Sequence, residues 1–149
     1  MKNPDESFEE ACKRKKKGQQ GKSAESKVRA LLEERGAEGK LGFIRLLDAR
    51  AAGKPVPAQP CDFIVFKHGA AWLLEVKQIS KGNRLPKKSF PQLSRMLSMK
   101  AHAHLMLLVF LAETGEWWNM EVVAMDASAA SWKVDENLGY KFSSLEEDF

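Results

Sequence analysis

Residues 62–77 read DFIVFKHGAAWLLEVK, and that stretch constrains the fold more than any other in the chain. Two runs rich in β-branched and aromatic residues, Asp62–Lys67 and Ala70–Lys77, flank a His68-Gly69 pair, the pattern of a β-hairpin. A two-residue loop pairs Lys67 with Ala70 and, counting outward along both strands, sets Asp62 directly opposite Glu75. Opposed Cβ atoms on antiparallel strands stand roughly 4.5–5.5 Å apart. Strand alternation puts Lys77 on the face of Glu75, one pleat further on. A four-residue loop preserves this parity and a three-residue loop reverses it, so the juxtaposition requires an even loop.

The surrounding pattern predicts α/β architecture. Ser23–Arg35 is helical in spacing, with Ala24, Val28, Leu31 and Leu32 on one face, Ser23 as N-cap and Gly36 as the C′ stop. Gly42–Leu47 reads as a short strand and Asp48–Pro60, with its glycine and prolines, as a loop. After the hairpin, Lys81–Lys88 is a basic loop. Ser89 caps a helix over about Phe90–Ala101 with Leu93, Met96, Leu97 and Ala101 inward. Leu105–Leu111 is continuously apolar, as a strand covered on both faces should be, and Thr114-Gly115 turns the chain into a last strand, Glu116–Met125. A helix between the third and fourth strands calls for a right-handed parallel crossover. The expectation is a single domain with a central mixed β-sheet flanked by helices. It covers residues 23–135, between a basic tail at 1–22 and a polar tail at 136–149.

Charge is distributed unevenly. Lys13, Arg14, Lys15, Lys16 and Lys17 form a block followed by Lys22 and Lys27, and a second cluster comprises Lys81, Arg84, Lys87 and Lys88. A single basic run is often only a solvated tail, but two of them flanking carboxylates favour a polyanionic partner. Arg45 and Arg50, on either side of the pre-hairpin loop, are further candidates for phosphate contact. The cysteines, Cys12 and Cys61, are not spaced as a pair, which argues against a disulfide framework or a Cys-ligated zinc site. The longest apolar run, Leu105–Leu111, falls far short of a bilayer span, and the N-terminus lacks an apolar signal-peptide segment. An intracellular location without membrane association is therefore expected.

Two carboxylates facing each other on a sheet cost stability unless a cation or a base lies with them. Apolar residues lead into the pair from both strands, and hard oxygen ligands suit Mg²⁺ or Mn²⁺. Lys77 stands where an ammonium neutralises charge or orients an attacking water. The alternative is that Glu75 and Lys77 are ordinary edge-strand charges and Asp62 begins a strand by chance. The bare spacing from Asp62 to Glu75-Val76-Lys77 is common in random sequence. Hairpin parity and the basic clusters give it weight.

Asp62 and Glu75-Val76-Lys77 on a hairpin resemble the motif of the PD-(D/E)XK nuclease superfamily. Gly21-Lys22-Ser23-Ala24-Glu25 before an amphipathic helix is similar to the start of Holliday junction resolvases of the RecU and archaeal types. Phe90-Pro91-Gln92-Leu93 resembles the helix that follows Glu-x-Lys in those proteins, and the likeness spans about residues 20–125. It implies a restriction-endonuclease-like fold and Mg²⁺- or Mn²⁺-dependent phosphodiester hydrolysis leaving a 5′-phosphate and a 3′-hydroxyl. Asp62, Glu75 and the Val76 carbonyl would hold the metal with Glu25 in support, Lys77 would act on the water or the transition state, and Gln92 would reach toward the site. It also implies branched DNA as partner and a homodimer. A flap or nick nuclease of the same superfamily and a non-catalytic DNA-binding module are the competing functions. Two departures stand out. Cys61 precedes Asp62 where many members carry proline, and Asp48–Pro60 is too short for a RecU-type stalk. Both bring the chain nearer a compact archaeal or phage-like pattern.

The remaining candidates have plainer readings. His102 and His104 lack a third ligand at useful spacing, and His68 is a turn residue. Met96, Met99 and Met106 with Leu97 suggest core or a subunit contact. Trp117 and Trp118 point to opposite faces of a strand, one inward and the other free to stack on a base or a partner subunit.

Overall fold

The structure, a computed structural model, describes residues 24–46, 60–90 and 93–149. Helix α1 covers 24–37 and is followed by β1 (Gly42–Arg45), β2 (Phe63–Lys67) and β3 (Ala70–Ile79). Then come β4 (Arg84–Pro86), a 3₁₀ turn (Lys87–Ser89), α2 (Leu93–Ser98), β5 (His104–Leu111) and β6 (Glu116–Met120). The chain ends with a 3₁₀ turn (Val122–Ala124), β7 (Ser131–Lys133), β8 (Gly139–Lys141) and a last 3₁₀ turn (Leu145–Asp148).

A six-stranded sheet is ordered β1-β2-β3-β5-β6-β8, and β4 pairs with β7 in a separate two-stranded ribbon. Only β3 and β5 of the six run parallel to each other as neighbours, joined through α2, so the sheet is mixed as expected. His68 takes φ 53° and Gly69 φ 74°, the double left-handed pair of a type I′ turn. The β2–β3 register accordingly pairs Lys67 with Ala70 and Phe63 with Leu74.

Both sheet faces are covered. On one, Leu73, Ile79, Leu107, Val109, Trp118 and Met120 pack with Phe90, Leu93 and Met96 and with Leu85 and Trp132 of the ribbon. On the other, Phe63, Val65, Leu74, Leu108 and Trp117 pack with the α1 stripe Ala24, Val28, Leu31 and Leu32. Burying Val28, Leu31 and Leu32 stabilises the fold by about 1.5–3 kcal/mol each, which anchors α1 better than its intrinsic propensity would.

Several expectations need correction. Gly36 does not stop α1. The helix runs on to residue 37, and the left-handed glycine that breaks it is Gly39, at φ 74°. Helix α2 ends at Ser98 rather than Ala101, because the chain turns at once through the Met99 N–H to Met96 bond, and Ala101 lies exposed. The last predicted strand ends at Met120, giving way to the Val122–Ala124 turn. Trp117 and Trp118 are both buried, since the two faces of β6 meet the two cores. The stretch 136–149 is no tail. It supplies β8 and buries Phe142, Leu145 and Phe149 against the α1 side. The basic loop Lys81–Lys88 contains β4, whose Leu85 is buried. Residues 1–23, with the basic block Lys13–Lys17 and Lys22, lie outside the described residues, as does most of the loop predicted at Asp48–Pro60.

Candidate metal and nucleic-acid site

The hairpin ladder stops at the Phe63–Leu74 pair, and what replaces the next rung makes the site. The Asp62 N–H donates to the Leu74 carbonyl, and the Asp62 carbonyl accepts from the Leu46 N–H. Its carboxylate then takes the place of a backbone acceptor: the Val76 N–H donates to Asp62 Oδ2 at 2.8 Å. Asp62 is thereby fixed beside Glu75-Val76 by its own side chain.

Glu75 lies mid-strand on the α2-facing side, alternating with Leu73 and Lys77, and is 1% exposed. Its Oε1 accepts from Lys77 Nζ at 3.2 Å, while Oε2 is buried and has no hydrogen-bond partner among the described residues. The Lys77 ammonium is also held 5.9 Å from the centre of the Phe90 ring. Burial pushes the Glu75 carboxyl up to about 7, and the negative charge of Asp62 pushes in the same direction against the pull of Lys77. Burial likewise raises Asp62 to about 6, opposed by the Val76 N–H and reinforced by Glu25. Both acids are thus held above the ordinary carboxylate range, with Lys77 offsetting only part of the effect.

Glu25, in the first described turn of α1, acts electrostatically on both acids, so it faces the site from the helix side. Its carboxylate also accepts from Arg45 Nη2 at 3.5 Å, a pairing that spans twenty residues and left no trace in the sequence pattern. Arg45, expected on phosphate, is thus turned toward Glu25 while its side chain stays 45% exposed. Lys81, Arg84, Lys87 and Lys88 are all exposed. Gln92, Arg50 and the basic block lie outside the described residues.

Among the described residues no three His, Cys, Asp or Glu side chains form a ready-made metal cage. Mg²⁺ is typically held by one or two carboxylates with water and substrate phosphate completing its shell. The Glu75 Oε2, without a partner among the described residues, and the raised pKa of both acids suit a divalent cation at this place. Neither histidine candidate competes: His102 and His104 are exposed, and His104 stacks on Trp72 with ring centres 4.3 Å apart. Cys61 is buried and unpaired, and burial pushes its thiol up to about 12, so it stays protonated and is a poor ligand.

No family model matches the sequence, and no curated protein matches it. Among solved structures the chain is similar to Hjc of Archaeoglobus fulgidus, a Holliday junction resolvase from an archaeal hyperthermophile. The TM-score is 0.50 at 20% sequence identity, over 80% of this chain and 92% of that one. The chain therefore shares the fold of that protein: one α/β domain built on a mixed sheet. Among the described residues no helix is long and apolar enough to cross a membrane.

Proposed function

We propose that this chain is a metal-dependent DNA endonuclease that resolves four-way junctions as a homodimer. The observation that carries the reading is the buried Oε2 of Glu75, without a hydrogen-bond partner among the described residues, close to Asp62 and with Lys77 on the other oxygen. Unpaired buried carboxylates cost stability, and perturbed acids of this kind cluster at functional sites. The resolvase-like fold supports the choice of branched DNA over other phosphodiesters.

Asp62, Glu75 and the Val76 carbonyl would hold Mg²⁺ or Mn²⁺, with Glu25 in support. A cation there lowers the pKa of water and stabilises charge developing on the phosphate. The protein residues do the rest. Asp62 is locked by the Val76 N–H, so one of its oxygens keeps a fixed direction. Lys77 directs its ammonium into the site, where it orients the attacking water or offsets negative charge on the phosphate. The exposed Lys81, Arg84, Lys87 and Lys88 supply sequence-independent grip on the backbone. Resolution cuts two strands symmetrically, which a two-fold pair of sites delivers.

The test compares cleavage of a synthetic four-way junction, a flap and a linear duplex in Mg²⁺, with wild type and Asp62→Asn. The junction should be cut fastest. Asp62→Asn should bind it and leave it intact, because asparagine still accepts the Val76 N–H. Faster cutting of the flap would move the reading to a repair nuclease of similar site. Binding without metal-dependent cutting would leave a DNA-binding module.

A further inference from the structure

We propose that Lys133, set beside Arg84 on the β4–β7 ribbon, grips the phosphate backbone of the DNA strand next to the cut. This rests on the nuclease reading and adds a DNA-gripping residue to it. The ribbon is an amphipathic platform. Leu85 pairs with Trp132, both are buried, and together with Val134 they belong to the core on the Glu75–Lys77 side of the main sheet. Trp132 is pinned further by its Nε1–H to the Asp126 carbonyl at 2.9 Å. Phe90, in that same core, lies under the Lys77 ammonium, so platform and acidic pair share one side of the molecule.

The outward face carries the charge. Val134 donates to the Asn83 carbonyl and Lys87 to the Ala130 carbonyl. Those bonds place the hydrogen-bonded rungs on either side of Arg84–Lys133, making it a non-hydrogen-bonded pair, the closer kind. Two cations opposed at roughly 5 Å between Cβ atoms destabilise a ribbon unless an anion lies on them. Among the described residues Lys133 makes no ion pair, and Arg84 donates only to Ser131 Oγ, at 3.0 Å. The cleft beside Lys133 is also lined by Glu113, Glu116, Asp135 and Glu136; Glu116 pairs with Lys141 at 3.1 Å, Asp135 accepts from the Asn137 N–H, and among the described residues none of the four forms an ion pair with Lys133. Backbone phosphates are the anion a nuclease presents at this place, and long flexible stems let both side chains reach them.

The test measures junction affinity over a salt series in EDTA for wild type, Lys133→Gln, Lys133→Arg, Arg84→Gln and the double glutamine variant. Lys40→Gln, at the hairpin tip, serves as the remote control. Every phosphate that is no longer neutralised should flatten the log–log salt slope by about 0.9, so Lys133→Gln should release about one phosphate and the double variant about two. Lys133→Arg and Lys40→Gln should keep the wild-type slope. A Lys133→Gln slope equal to wild type, in a protein that still cuts junctions in Mg²⁺, overturns the assignment of Lys133 alone. A slope change equally produced by Lys40→Gln also overturns it, since net charge then explains the effect. A wild-type protein that neither binds nor cuts DNA removes the nuclease reading and this phosphate grip together.

Discussion

Replacing Glu75 with glutamine removes one negative charge from a position where the fold tolerates it poorly. The side chain keeps its shape, and a neutral amide replaces a charged oxygen that has no partner among the described residues. The wild-type carboxyl sits near 7 in the folded chain against an ordinary 4.5, a difference worth about 3 kcal/mol. The sign follows from proton binding. Between pH 4.5 and 7 the folded state holds a proton that the unfolded state has released, so wild-type stability falls as pH rises through that window. Above it the full penalty is in force. Losing the Lys77 ion pair offsets part of the change, which leaves a net gain of about 1–3 kcal/mol for Glu75→Gln at pH 8. Urea unfolding in EDTA at pH 5 and pH 8 measures it. The variant should be more stable at pH 8, with the difference shrinking toward pH 5. Saturating Mg²⁺ should stabilise wild type and leave the variant where it was, since a ligand stabilises only the state that binds it. A variant less stable than wild type at pH 8 in EDTA would show that Glu75 is a structural charge satisfied by Lys77, and the site would lose its physical basis.

Three further outcomes follow from the packing and the charge. Leu32→Ala empties a fully buried position under α1 and should cost about 2–5 kcal/mol, lowering Tm by roughly 5–15 °C in thermal unfolding. Gly139→Ala should destabilise the fold by more than about 1 kcal/mol, because the added Cβ would run into the Asn119 backbone and push β8 off the sheet edge. Chemical denaturation would detect it. Deleting residues 1–20 removes a basic block and should weaken junction binding with a flatter salt slope; an unchanged slope would reject a clamping role for that block.

The parts of the fold that could be read from residues are those where local chemistry leaves little choice. His68-Gly69 adopts a tight turn whose twist suits a hairpin, and that turn fixed the β2–β3 register from Lys67–Ala70 out to Phe63–Leu74. The α1 stripe and the apolar β5 run were legible because they repeat over enough residues to show a period. Strands β4, β7 and β8, of three residues each, show none. Their stability comes from Leu85, Trp132 and the sheet edge beside β6, all tertiary facts. The acidic C-terminal stretch hid Phe142, Leu145 and Phe149 among polar neighbours. In the site, strand parity revealed the carboxylate pair and Lys77. The Arg45–Glu25 pairing and the Lys133–Arg84 juxtaposition join segments distant in sequence, where periodicity carries no information.

The central claim is that Asp62 and Glu75 hold the cation that makes this chain cut branched DNA. It is tested most directly by the cleavage rate of a synthetic four-way junction as Mg²⁺ is titrated, for wild type beside Glu75→Gln. Wild type should show no cutting in EDTA and a saturable rise with Mg²⁺, while the variant stays flat. Equal cutting by the two proteins, or cutting undiminished in EDTA, would contradict it.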